Sequence, residues 1–68
     1  MMQGKSLFAL FHERGLSYEA VAQHLSIPVG RVEKWILWQS VPTPAECIQL
    51  AELLAVDLPT IYLSLFTP

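Results

Sequence analysis

Four side chains carry positive charge in this 68-residue chain: Lys5, Arg14, Arg31 and Lys34. Arg31 and Lys34 stand three residues apart in the stretch Val29 to Trp35. Basic side chains of this kind can donate to phosphate oxygens or to the acceptor edges of bases. The other reactive side chains offer less. His12 and His24 lie on different segments and have no ligand-like spacing with Cys47, the single cysteine. Each histidine reads as a surface or half-buried residue, and Cys47 as a small apolar residue on a helix. Glu46 reads as a helix cap and Glu52 as part of a solvent face, not as an acid/base pair. No phosphate-cradling glycine loop or nucleophile motif appears. A chain this small also leaves little room for a pocket beside its core. The sequence argues against an enzyme, and it gives no sign of a metal or cofactor.

Composition sets bounds on any use of that basic pair. The formal net charge is −2, whereas affinity for DNA rests largely on neutralising phosphates. No basic tail compensates. Hydrophobic residues make up 53% of the chain and charged residues 15%, against roughly 45–50% and 25% in soluble domains. In a single small domain, spanning 1–68, some apolar surface must then stand exposed on the monomer. That points to a partner, most simply a second copy. One cysteine allows no internal disulfide and suits a reducing cytoplasm. No signal peptide is visible, because Lys5 is followed by only a short apolar patch before His12, Glu13 and Arg14. No apolar run approaches the length of a membrane span.

Five short helices account for the pattern, an all-α bundle. Ser6 starts the first, with Leu7, Phe8, Leu10 and Phe11 as its apolar stripe and Gly15 placed to end it in the left-handed conformation. Ser17 caps the second, Glu19 puts a negative charge in its first turn, and Val21, Ala22 and Leu25 fall on one face. Ser26-Ile27-Pro28 breaks the pattern, since Pro28 suits a first turn and not a helix interior. Val32 and Trp35 resume the apolar face on the third helix, where Gly30 costs roughly 1 kcal/mol relative to alanine. Thr43-Pro44-Ala45-Glu46 is a capping box with proline at the first position. It opens a fourth helix with Cys47, Ile48, Leu50, Ala51 and Leu54 on a broad apolar face. Asp57 caps a fifth, with Pro59 early in it and Ile61, Tyr62, Leu65 and Phe66 making residues 58–68 strongly apolar.

The order of these features resembles the Cro and phage-repressor type of helix-turn-helix, the xenobiotic-response-element family. The resemblance covers roughly residues 6–63, with the helix-turn-helix at 16–38. It rests on Leu16-Ser17, Ala22, Leu25, Val32 and Pro44, and on the run from Leu50 to Asp57. It implies a lambda-repressor-like fold and a homodimeric transcriptional regulator bound to an operator in double-stranded DNA. The family's DNA-facing positions fall here on Tyr18, Pro28, Val29, Gly30, Arg31, Glu33 and Lys34. Members usually place polar or basic residues there. Val29 offers only apolar contact, Gly30 has no side chain, and Glu33 repels phosphate unless it accepts from cytosine or pairs with a base of the protein. Arg31 is the best single candidate for DNA contact, and Lys34 can reach a guanine or a phosphate.

A second departure follows the third helix. The family commonly ends this region with a polar corner, but this chain reads Trp35-Ile36-Leu37-Trp38. Successive helical positions are about 100° apart, so the four cannot all face inward. Some of Ile36, Leu37 and Trp38 are then either exposed or covered by Leu63 to Phe66. Two functions follow. One is a DNA-binding homodimer, with Ile61, Tyr62, Leu65 and Phe66 as the contact between copies. The other is a helix-turn-helix scaffold that sequesters a regulatory protein through Ile36, Leu37 and Trp38, with little or no DNA binding.

Overall fold

Helix starts in this chain are set locally, by side chains that accept from the first turn. The computed structural model describes residues 5–67; residues 1–4 and 68 of the expected 1–68 domain lie outside it. Five α-helices and no strand occur among the described residues: α1 (Leu7–Glu13), α2 (Tyr18–Leu25), α3 (Val29–Ile36), α4 (Pro44–Leu54) and α5 (Leu58–Ser64). The all-α expectation holds. Ser6, Ser17, Thr43 and Asp57 each accept a hydrogen bond from the amide three residues on, a contact worth about 1 kcal/mol at each helix start. Only α3 begins without such a bond, at Pro28.

Four of the five helix ends, those of α1 to α4, follow a common rule that the sequence reveals only in part. Gly15, Ser26, Trp38 and Ala55 all adopt the left-handed conformation, with φ of 67°, 58°, 60° and 57°. At each, the residue's own amide reaches back three carbonyls and the next amide reaches back five. For α3 these are Trp38 to Trp35 at 3.3 Å and Gln39 to Lys34 at 2.9 Å. This is the Schellman closure, in which an apolar residue just past the left-handed one packs back on the fold. Leu16, Ile27 and Val56 do so after α1, α2 and α4. After α3 the corresponding residue is the exposed Gln39, so that end lacks its apolar anchor.

One core draws on all five helices: Leu7, Leu10 and Phe11; Val21, Ala22 and Leu25; Val32 and Trp35; Cys47, Leu50, Ala51 and Leu54; and Ile61. The most extensively packed pairs are α2 with α3 and α4 with α5. The chain turns by 107° between the latter two. Three apolar residues depart from the faces expected of them. Phe8 and Ile48 point outward at 53% and 51% exposure, and Ile61 is fully buried. Ile61 therefore cannot contribute to a contact between copies. With about 100° between neighbours, Ile61 takes the inward side of α5 and Tyr62 and Leu63 turn to solvent. No helix among the described residues is long and apolar enough to cross a membrane.

Candidate nucleic-acid interface

The corner Ser26-Ile27-Pro28 sets α3 against α2 and sorts its residues by face. Val32 and Trp35 go inward. Arg31, Glu33 and Lys34 are exposed, as are Leu37 and Trp38 just beyond the helix. Val29 and Gly30 are half-buried, and Val29 packs against the core. Val29 is thus partly committed to folding and is not a free outward contact. At Gly30 a Cβ would meet nothing within 4 Å, so the glycine is not demanded by packing. Tyr18 is half-buried too. Its ring stands edge-on to Phe11 and Phe8, at centroid distances of 6.3 and 6.5 Å. Tyr18 therefore belongs to an aromatic cluster that ties α2 to α1.

Arg31 is the residue whose surroundings the sequence did not disclose. Its Nη2 donates to Glu46 Oε1 at 2.8 Å. The same carboxylate oxygen accepts from the Thr43 amide at 2.8 Å, and Thr43 Oγ1 accepts from the Glu46 amide at 3.2 Å. Glu46 thus completes the α4 capping box and also serves as counterion to α3. Its side chain is 9% exposed, against 44% for Arg31. A carboxylate that buried requires partners, and that requirement is the one signal in the chemistry of the capping box that could have pointed to Arg31. The partner lies 15 residues away on another helix, where helical periodicity is silent.

The charge pattern follows from this pair. Lys5 is bound to Glu13 in an exposed ion pair, a contact worth about 0–1 kcal/mol. Arg31 is matched by Glu46. Among the described residues Arg14 and Lys34 form no salt bridge, and Glu33 lies beside Lys34 on the exposed side of α3. Of the four basic side chains, two are thus matched by carboxylates and two are without a salt bridge among the described residues.

A second feature flanks α3. Leu37, Trp38, Val41 and Phe66 are 65%, 59%, 68% and 79% exposed. Trp38, Val41, Leu65 and Phe66 line a cleft of about 200 Å³ with Trp35 and Ser40. The C-terminal segment therefore comes alongside Trp38 without covering it. Of the expected interface residues, Leu37, Trp38, Tyr62 and Phe66 are exposed, and Ile36 and Leu65 are half-buried. The indole nitrogen of Trp35 is buried and has no hydrogen-bond partner among the described residues.

The remaining polar groups serve the fold. Burial pushes the Cys47 thiol up from its ordinary range, and the nearby Glu46 charge adds to the shift. The Thr60 hydroxyl and then its amide, both donating to Asp57, hold the Asp57 carboxyl below its ordinary value. His12 and His24 are both exposed, and the His12 ring stacks on Phe8. No cluster of three His, Cys, Asp or Glu side chains exists among the described residues. No family model, curated protein or solved structure matches this chain.

Proposed function

We propose that the chain is a small DNA-binding transcriptional regulator of the Cro/repressor helix-turn-helix type, working in the cytoplasm as a homodimer. The observation that carries the reading is the sorting of α3. Its apolar side is anchored in the core through Val32 and Trp35, and Arg31 and Lys34 are exposed on the outer side. Such an arrangement can offer α3 to a major groove, and two copies would engage half-sites roughly 34 Å apart. The apolar face at Leu37, Trp38 and Phe66 supports a contact between copies, which doubles a weak individual footprint.

Few uncompensated cations mean a shallow salt dependence. With Arg14 and Lys34 as the free bases of each protomer, a dimer neutralises about four phosphates. The slope of log affinity against log salt is then no steeper than about −4. The test is selection of duplexes from a random pool, followed by polarisation titration at several salt concentrations. Failure to enrich any duplex, or equal affinity for enriched and random duplexes at about 50 mM salt, would remove this reading.

A second reading has its own observation. Trp38 is a large, exposed aromatic held in the left-handed conformation, and exposed tryptophan is characteristic of binding hot spots. It favours a scaffold that sequesters a regulatory protein. Co-purification from the native cell tests it. A partner lost on both Trp38→Ala and Leu37→Ala supports the scaffold, and a partner indifferent to both excludes this face.

A further inference from the structure

We infer that Arg31 is a specificity residue whose guanidinium is oriented by Glu46, and that it contributes hydrogen bonds to a base edge instead of net charge to the phosphates. The inference rests on the DNA-binding reading above. It begins with how firmly Glu46 is held. Its backbone sits in the first turn of α4, its carboxylate oxygen accepts from the Thr43 amide, and only 9% of the side chain is exposed. The acceptor that Arg31 meets is therefore fixed in place before any DNA arrives.

Arg31 is not consumed by this contact. A guanidinium has five N–H donors in a planar fork, and the recorded bond to Glu46 uses Nη2 alone. With 44% of its side chain exposed, the residue keeps donors open to solvent on the outer side of α3. A fork held by a carboxylate loses little freedom on meeting the paired acceptors O6 and N7 of guanine. Its charge behaves differently. A cation and an anion joined at 2.8 Å present a dipole to a phosphate a few ångströms away, and counterion release requires net positive charge. Moving Arg31 from Glu46 to a phosphate would take a charge-assisted bond from a buried carboxylate. The phosphate contact from α3 therefore falls to Lys34, and the discrimination falls to Arg31.

The experiment uses the full chain and the duplex it enriches from a random pool. For wild type and for Arg31→Met, Arg31→Lys, Glu46→Gln and Lys34→Gln, affinity is measured on that duplex, on each single-base-pair variant of it, and across salt. Lys34→Gln should weaken all duplexes alike and flatten the salt slope by about 2 for the dimer. Arg31→Met should weaken the enriched duplex at least tenfold and abolish discrimination at one or two base pairs. Because it leaves the Glu46 carboxylate unpaired, the salt slope is compared in the charge-conserving double variant Arg31→Met/Glu46→Gln, measured alongside, where it should match wild type. Arg31→Lys keeps the ion pair but not the fork. It should match wild type in melting temperature and still lose that discrimination. Glu46→Gln retains an acceptor for Thr43 and Arg31 but unmasks the cation, so non-specific affinity and salt slope should both rise while discrimination falls.

The inference is overturned if the double variant Arg31→Met/Glu46→Gln behaves like Lys34→Gln, with every duplex weakened alike and the salt slope flattened, which would make Arg31 a phosphate contact. It is equally overturned if the Arg31 variants keep full discrimination and only lower the melting temperature. Both results leave DNA binding itself standing. A chain that enriches no duplex overturns the DNA-binding reading and this inference with it.

Discussion

Glu46 carries two demands at one carboxylate, and substitutions should separate them. Glu46→Ala removes the return bond of the capping box and strands Arg31, with a half-exposed partner limiting the electrostatic share. The loss should be about 2–3 kcal/mol of unfolding free energy. Glu46→Gln keeps both acceptor contacts and should cost less than half of that. Denaturant melts of the two variants provide the check. At Asp57 the expected dependence is on pH. Its carboxyl is held below the ordinary value by Thr60, so the unfolded chain takes up the proton first as acid is added. Stability from this cap is present above the unfolded carboxyl's pKa, about 4, and is lost as pH falls through the lower folded value. Asp57→Asn should lose that acid-dependent component when melting temperature is followed down a pH series. Cys47 is 2% exposed with a raised thiol, so a thiol reagent should label the native chain at the rate of global unfolding. Fast labelling in native buffer would contradict its placement.

At the scale of the elements, α3 is intrinsically the weak helix. It has no side-chain cap, it contains Gly30, and it closes on a tryptophan in the left-handed region. Since a Cβ at Gly30 meets nothing within 4 Å, Gly30→Ala should stabilise the fold by about 0.5–1 kcal/mol. At Trp38, glycine removes a backbone penalty of about 1–2 kcal/mol but also the partial packing of the indole. Trp38→Gly should therefore leave stability unchanged or raised, and any self-association should fall. A melting curve paired with sedimentation tests both halves together. The elements also show what the sequence could reveal. Ser6, Ser17, Thr43 and Asp57 announce helix starts because capping needs only a hydroxyl or carboxylate and an amide three residues on. Gly15 announces an end for the same local reason. The ends at Ser26, Trp38 and Ala55 carry no residue that favours a positive φ; Ile27 and Val56 pack back on the core after the first and third, but the exposed Gln39 follows Trp38. A strongly apolar run such as Ile61 to Phe66 does not say which of its members turns inward, and here Ile61 does. The Arg31–Glu46 bond depends on how α3 meets α4, and neither helix encodes that alone.

Across the whole molecule, electrostatics and apolar surface point to different partners. The net charge is −2, and two of the four basic side chains are bound to carboxylates within the chain. Against that stands an exposed face at Leu37, Trp38, Val41 and Phe66. Of these, Trp38 and Phe66 belong to a residue class that buries about 150–250 Å² each. On the proposed DNA-binding reading, a monomer with so thin a basic footprint would hold DNA weakly, so dimerisation and binding should be coupled. Trp38→Gly should then lower affinity for a two-half-site duplex by at least tenfold, with little effect on a single half-site. On the proposed reading, α3 reads duplex DNA from a dimer with few free cations. The most direct test of that reading is polarisation titration of an enriched two-half-site duplex over a range of salt. The account predicts binding of two protomers per duplex, at least tenfold preference over random sequence, and a salt slope no steeper than about −4. Binding with no sequence preference, or no binding at about 50 mM salt, would contradict it.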